Sequence, residues 1–162
     1  MKSRALARSD CPATFEEALG AITQLGRLTE LYQHRRQQLA QSVGLTEREW
    51  AVLEEVSTEH FMPSLFARKS ESTPAAVSKI IRQLLDKALI SVSVSREDAR
   101  HRDYVLTAKG RRILLRLRKL REDAITTIWL EFGSPELAQF TDFASRLVAR
   151  LEAYAARAIQ EE

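Results

Sequence analysis

Residues 98–110 read DARHRDYVLTAKG, and this stretch decides the fold. It holds a short charged segment, then the apolar run 104–106, and then Thr107, a residue type that commonly caps the start of a helix. Asp98 stands two residues before Arg100, and a carboxylate at that spacing can orient a guanidinium group. An oriented guanidinium on an exposed loop suits a narrow anionic groove. We therefore predict a basic loop, a strand and a helix, in that order.

The residues before this stretch predict a partner strand. Residues 90–94 read ISVSV and alternate apolar with polar side chains, which is typical of a half-buried strand. Residues 104–106 are the predicted return strand, and residues 95–103 are the loop between the two. The sequence therefore predicts a two-stranded hairpin with a basic loop.

Three helices are predicted before the hairpin. Residues 46–49 read TERE, a capping box in which the Thr and the Glu satisfy each other's backbone amides. Pro63 begins a short helical piece, and residues 73–74 (Thr-Pro) begin a helix that runs to about Leu89. Residues 46–106 therefore have the element order of a winged helix-turn-helix lobe.

Long amphipathic helices flank this lobe. Apolar residues recur at three- and four-residue steps from residue 13 to about 42, from 107 to about 132, and from 134 onward. A single helix cannot bury its own apolar stripe, so we expect the flanks of two chains to pack together as a homodimer. The two recognition helices of such a dimer would lie about 34 Å apart. The predicted organisation is an N-terminal tail (1–13), dimerisation helices (14–45 and 107–158) and a DNA-binding lobe (46–106).

Composition agrees with a mainly α-helical fold that carries one small β-hairpin. The 162 residues include only five glycines and four prolines, 44% are hydrophobic, and the net charge is +3. No apolar run reaches the roughly 18 residues of a membrane span. The basic start of the chain is not followed by the apolar core of a signal peptide, so a cytoplasmic protein is expected.

Few residues suit catalysis. The histidines His34, His60 and His101 are scattered, and neither a glycine-rich phosphate loop nor a nucleophile motif is present. Cys11 is the single cysteine, which excludes an internal disulfide and a multi-thiolate zinc site. We therefore expect no enzyme, no metal and no cofactor. Cys11 is either a bystander thiol, a redox sensor or a partner in an intersubunit disulfide.

The chain resembles the MarR family of bacterial transcription regulators over about residues 14–158. The motifs that carry the resemblance are residues 44–46 with Trp50, residues 73–79, and residues 98–110. The resemblance implies a dimeric winged-helix protein, most often a repressor that small aromatic or phenolic ligands release from DNA.

One turn departs from the family pattern. The family usually places an apolar residue and a glycine before the recognition helix, whereas residues 69–72 here read KSES. Ser70 is expected to take the backbone conformation that glycine adopts easily. Glu71 would place a negative charge near the approaching phosphates.

The recognition helix, residues 73 to about 89, has an outward side of small and basic residues. Small residues at its start allow close entry into the major groove, and the basic residues suit phosphates. The predicted contacts on this helix are Thr73, Pro74, Ala75, Ser78, Lys79 and Arg82. In the wing, Arg100 is predicted to enter the minor groove, held by Asp98. His101 and Arg102 are predicted to add backbone or groove contacts.

Seven of the thirteen residues from 109 to 121 are basic and none is acidic. Near the wing they could touch phosphates, whereas further on they could pair with acidic residues or with a ligand. Both alternatives stay open, and none of these arginines is included among the predicted DNA contacts.

An effector site is predicted on the first two helices. Arg27, Leu31 and His34 share one stripe of the first helix, and Trp50 opens the second. A cation beside aromatic walls suits an aromatic carboxylate. The alternative is that Arg27 and His34 are surface or dimer-contact residues and that Trp50 belongs to the core. The alternative function for the whole chain is a helical protein–protein adaptor without sequence-specific DNA binding.

Overall fold

The computed structural model describes residues 12–58, 61–94 and 102–158, except for the side chains of Val94 and Ala158. These ranges are mostly helical and carry one antiparallel hairpin, which confirms the predicted fold class. In chain order the elements are α1 (Phe15–Gln41), α2 (Glu47–Val56), α3 (Pro63–Lys69), α4 (Pro74–Asp86), β1 (Ile90–Val94), β2 (Arg102–Leu106), α5 (Ala108–Ile128) and α6 (Ser134–Ala158). None of the described helices is long and apolar enough to cross a membrane.

The chain divides into two compact units, Met1–Ile113 and Leu114–Glu162, with the boundary inside α5. The core of the first unit comes mainly from one face of α2 and one face of α4, where apolar residues recur at three- and four-residue spacing. Its buried side chains include Trp50, Val52, Leu53, Val77, Ile81, Leu84, Leu89 and Ile90. In the second unit Leu114 and Leu117 are buried.

Threonine caps begin the helices where the sequence predicts them. The Thr46 hydroxyl accepts the backbone N–H of Glu49, and the Glu49 carboxylate accepts that of Thr46, which confirms the capping box of α2. The Thr73 hydroxyl caps α4 by accepting the N–H of Ala76 at 3.2 Å. A second capping box between Thr14 and Glu17 begins α1. This box was not predicted, although Thr14 and Glu17 have the same spacing as Thr46 and Glu49.

Two helices end earlier than predicted. The predicted recognition helix, α4, ends at Asp86 and not near Leu89, because Ala88 has a φ of 54° and turns the chain into β1. Helix α5 ends at Ile128 and not near Phe132. The N–H of Leu130 donates to the carbonyl of Ile125, five residues back, so the helical spacing is already lost there.

The hairpin is longer than predicted and less buried. Ile90 pairs with Leu106 and Val94 with Arg102, so β2 begins two residues before the predicted position. The segment between the strands is therefore 95–101, not 95–103. Ile90 is buried but Val92 is 42% exposed, so β1 joins the core only at its first residue and is not half-buried along its length.

Candidate nucleic-acid interface

Helix α4 presents an apolar face to the core and a polar face to solvent. Val77, Ile81 and Leu84 are buried. The six residues that the sequence predicts as DNA contacts all lie on the exposed side: Thr73, Pro74, Ala75, Ser78, Lys79 and Arg82. Small side chains therefore occupy the first exposed turn, and the cations follow one and two turns later.

The polar groups on this face are available to a partner. Among the residues that the structure describes, none forms a hydrogen bond or ion pair with the side chains of Ser78, Lys79 or Arg82. The Thr73 hydroxyl is engaged as the helix cap. The N-terminus of α4 adds the positive end of the helix dipole, which favours phosphate.

The turn before α4 carries its unusual backbone at Glu71. Ser70 has φ −97° and ψ 9°, an ordinary conformation, whereas Glu71 has a φ of 49°. The prediction that Ser70 replaces a glycine is therefore wrong by one residue. Chain reversal here needs one left-handed residue, and the N–H of Ser72 then donates to the Ala67 carbonyl at 2.9 Å. Glu71 is exposed beside the start of α4.

Aromatic contacts anchor the base of the hairpin. The ring of Tyr104 in β2 meets Phe61 edge-on, with centroids 5.8 Å apart, and Phe61 lies 6.2 Å from Phe66 in α3. Arg102 is exposed at the first position of β2. The predicted wing residues Asp98, Arg100 and His101, like Cys11, lie outside the described residues.

The junction between hairpin and α5 explains the sequence Leu-Thr-Ala-Lys-Gly. The Thr107 hydroxyl donates to the Ala88 carbonyl at 2.8 Å and accepts the N–H of Gly110 at 3.0 Å. Gly110 is buried against the backbone of Leu89. These residues therefore fix the end of α4, the start of β1 and the start of α5 to one another.

A buried carboxylate lies behind α4. Glu49 is 2% exposed, and the Lys87 ammonium lies 2.8 Å from it. Burial raises the pKa of Glu49, but the hydrogen bonds from Lys87 and from the Thr46 backbone outweigh it, so that the pKa is lowered overall. This pair could not be predicted from the sequence, because no local pattern links positions 38 residues apart.

In the basic run 109–121 on α5, some side chains form hydrogen bonds within the protein and others are exposed. Lys109 donates to the Lys87 carbonyl at 2.9 Å, and Arg111 donates to the Leu106 carbonyl at 2.7 Å. Arg112, Arg116 and Lys119 are exposed and, within the described parts of the chain, pair with no acidic side chain.

The predicted effector residues lie in different surroundings. Arg27, Leu31 and His34 are exposed on α1, and the His34 ring contacts the Gln38 amide at 2.9 Å. Trp50 is 2% exposed, and the Arg36 guanidinium covers its ring at 4.5 Å. A shallow groove of about 400 Å³ between α1 and α2 is lined by Glu30, Gln33, His34, Gln37 and Glu47. Of the four predicted residues, only His34 lines this groove.

Arg36 on α1 makes two contacts with α2 that were not predicted from the sequence. Its guanidinium covers the Trp50 ring, and its Nε lies 2.7 Å from the Glu47 carboxylate. It therefore joins α1 to α2 over the buried indole. Position 36 lies within the predicted helix, but its partners on α2 are set by the packing of two helices and not by local spacing.

No protein-family model matches the sequence, and no curated protein matches it either. Solved structures do match. A MarR family transcription regulator is 20% identical, with a TM-score of 0.78, and the match covers 86% of this chain and 93% of that one. YusO from Bacillus subtilis is 21% identical (TM-score 0.66; 85% and 99% covered). The S. aureus MepR–DNA complex is 16% identical (TM-score 0.64; 79% and 94% covered). The chain therefore has the fold of the MarR-family transcription regulators, as its sequence motifs predict.

Proposed function

We propose that this chain is a homodimeric transcription regulator of the MarR type that binds a pseudo-palindromic operator and acts as a repressor. The observation that carries the proposal is the exposed face of α4, where small residues precede the unpaired cations Lys79 and Arg82. A helix of this kind enters the major groove with its N-terminal residues, and its cations bind phosphates. The structural likeness to the S. aureus MepR–DNA complex supports the same role.

The wing completes the proposed interface. The base of the hairpin is held by the Phe61–Tyr104 contact and by Thr107. Arg100 and His101 follow β1 and precede β2 in the sequence, and Arg102 begins β2. Arg100, oriented by Asp98, is proposed to enter the minor groove, and His101 and Arg102 are proposed to contact the backbone beside it.

The proposed dimer would bury the apolar flanks. On α1, Phe15 is 81% exposed, Ile22 63% and Leu25 46%, and on α6 Phe143 is 53% and Leu151 56% exposed. Such exposed apolar stripes favour association. The proposed division is therefore into dimerisation helices (14–45 and 107–158) and a DNA-binding lobe (46–106).

A small aromatic effector, such as an aromatic carboxylate, is proposed to release the DNA. Arg27, Leu31 and His34 present a cation, an apolar side chain and an imidazole on one exposed stripe of α1. Trp50 would contribute only after Arg36 moves from its ring. Phenolic acids that bind there would raise the melting temperature of the protein, and a complete absence of shifts across a library of them would contradict the effector proposal.

The test of the function is selection of DNA by the purified protein from a randomised duplex library, followed by mobility-shift titration of the recovered duplex. We expect a two-fold-related sequence and salt-sensitive binding by a dimer, with Arg100→Ala abolishing or severely weakening the complex while fold and dimer persist. Failure to enrich any sequence would overturn the proposal. A helical protein–protein adaptor would then be the better description.

A further inference from the structure

The side chain of Lys87 ties the end of α4 to two other elements. Lys87 is the C-cap residue of α4. Its Nζ lies 2.8 Å from the Glu49 carboxylate on α2 and donates at 2.9 Å to the carbonyl of Gly44, in the turn after α1. Glu49 is 2% exposed, and within the described parts of the chain the Lys87 ammonium is the cation that pairs with its buried carboxylate.

The backbone of the same segment is tied to α5. The Lys87 carbonyl accepts the Lys109 ammonium at 2.9 Å. The Ala88 carbonyl accepts the Thr107 hydroxyl at 2.8 Å, and the Leu89 carbonyl accepts the Thr107 N–H at 3.0 Å. Three successive carbonyls are therefore held from the α5 side, while the Lys87 ammonium is held from the α2 side.

Residues 87–89 are also the whole connection between α4 and β1. Helix α4 carries the proposed major-groove contacts, and the hairpin that β1 begins carries the proposed minor-groove contacts. A change in the backbone direction of residues 87–89 would therefore move the proposed contacts on α4 relative to those on the hairpin. Binding of both sets to one duplex requires that their spacing match the spacing of the grooves.

We infer that Lys87 is a positioning residue for sequence-specific DNA binding: its ammonium, held by Glu49 and Gly44, fixes α4 relative to the hairpin. The inference rests on the proposed function. It requires no contact between Lys87 and DNA. The same pair also stabilises the fold, so the experiment has to separate loss of stability and change of charge from loss of positioning.

The experiment uses two duplexes of equal length, namely the one that the wild-type protein selects from the randomised library and one of random sequence. Lys87→Met and Glu49→Gln are compared with the wild type, all well below their melting temperatures. These two variants change the net charge in opposite directions, so a purely electrostatic effect on DNA affinity would also have opposite signs. Lys87→Arg is the conservative variant. Val52→Ala, which removes fully buried methyl groups from α2, is the control for lost stability.

We expect Lys87→Met and Glu49→Gln each to lower the affinity for the selected duplex by about tenfold or more, the size of one lost base contact. Affinity for the random duplex should change by less than about threefold, because non-specific binding depends on charge and not on register. Lys87→Arg should restore most of the selective binding, and Val52→Ala should keep it.

Amide hydrogen exchange provides a readout that does not involve DNA. Lys87→Met and Val52→Ala are compared at conditions in which their unfolding free energies are equal. The amides of Leu89 and Thr107 should then exchange faster in Lys87→Met, because those amides lie in the segment that Lys87 fixes.

The inference is overturned if Lys87→Met keeps wild-type selectivity, if Glu49→Gln raises the affinity for the selected duplex, or if Val52→Ala loses as much as Lys87→Met. If Lys87→Met does not fold, Glu49→Gln and Lys87→Arg decide by the same criteria. If the wild-type protein selects no duplex, both the proposed function and this inference are wrong. If the wild type selects a duplex and the variants keep its selectivity, only this inference is wrong.

Discussion

A Cβ added to Gly110 would overlap the carbonyl oxygen of Leu89 and would lie only 3.0 Å from the carbonyl carbon of Leu89. Gly110 therefore lets the first turn of α5 approach the segment between α4 and β1. The Leu89 carbonyl is also held by the Thr107 N–H, so it cannot move aside without breaking a hydrogen bond. Closeness of two backbones, and not a special φ, is the reason for glycine here.

Gly110→Ala should consequently destabilise the protein by about 3 kcal/mol or more, as a forced overlap with backbone does. The matched control is Gly20→Ala on α1, where an added Cβ meets nothing within 4 Å. That control should stabilise the protein by up to about 1 kcal/mol, because alanine is the better helix former. Urea denaturation of both variants measures the difference. If Gly110→Ala and Gly20→Ala have equal unfolding free energies, the close approach to Leu89 does not require glycine at position 110.

Glu71 combines backbone strain with an unfavourable charge. Its φ of 49° is a conformation that glycine adopts without strain. Glu71→Gly should stabilise the protein by about 0.5–1 kcal/mol and strengthen DNA binding by removing a negative charge beside α4. Glu71→Gln separates the two effects, since it removes the charge but keeps the strain. It should strengthen DNA binding without a change in unfolding free energy. A loss of stability in Glu71→Gly would show that the backbone of Glu71 is not strained.

Acid should weaken the contact between Glu49 and Lys87. The pKa of Glu49 is lowered in the folded protein, so its contribution to stability is complete above the pKa of the unfolded chain and is lost as the pH falls through the folded value. Unfolding free energies measured from neutral pH to about pH 3 should therefore fall less steeply in Glu49→Gln than in the wild type. In Lys87→Met the carboxylate stays buried without its cation. Its pKa should rise, so this variant should be less stable at neutral pH but should lose less stability than the wild type as the pH falls.

Arg82 should contribute to DNA affinity through phosphate and not through sequence. Arg82→Gln is expected to weaken binding to the selected and random duplexes by similar factors and to reduce the salt slope by about one. The control is Lys69→Gln, because Lys69 already lies 3.4 Å from Glu55 and is directed toward α2. A loss confined to the selected duplex would instead make Arg82 a base-reading residue.

The helices could be predicted because their caps are local. Thr46 and Glu49, like Thr73 and Pro74, lie within one turn of each other, and a local hydrogen bond fixes their geometry whatever the rest of the chain does. The outward side of α4 followed equally from helical spacing. What could not be predicted depends on contacts between distant residues. Lys87 meets Glu49, and Arg36 meets Trp50, only because separate helices pack. For the same reason the sequence alone leaves two alternatives for Trp50, an effector site or the core, and only the packing shows that it is buried.

Removing the guanidinium over Trp50 should loosen the join between α1 and α2. Arg36 covers the indole at 4.5 Å and pairs with Glu47 at 2.7 Å, while its side chain keeps 33% of its exposure. Solvent screens such a pair, so the two contacts together should contribute about 1–2 kcal/mol. Arg36→Gln should lose that amount in urea denaturation and should alter the emission of Trp50, measured in a Trp129→Phe background. The neighbouring Arg35→Gln removes an equal charge from an exposed position and should leave both readouts unchanged. If the two variants behave alike, the cover over Trp50 contributes nothing beyond surface charge.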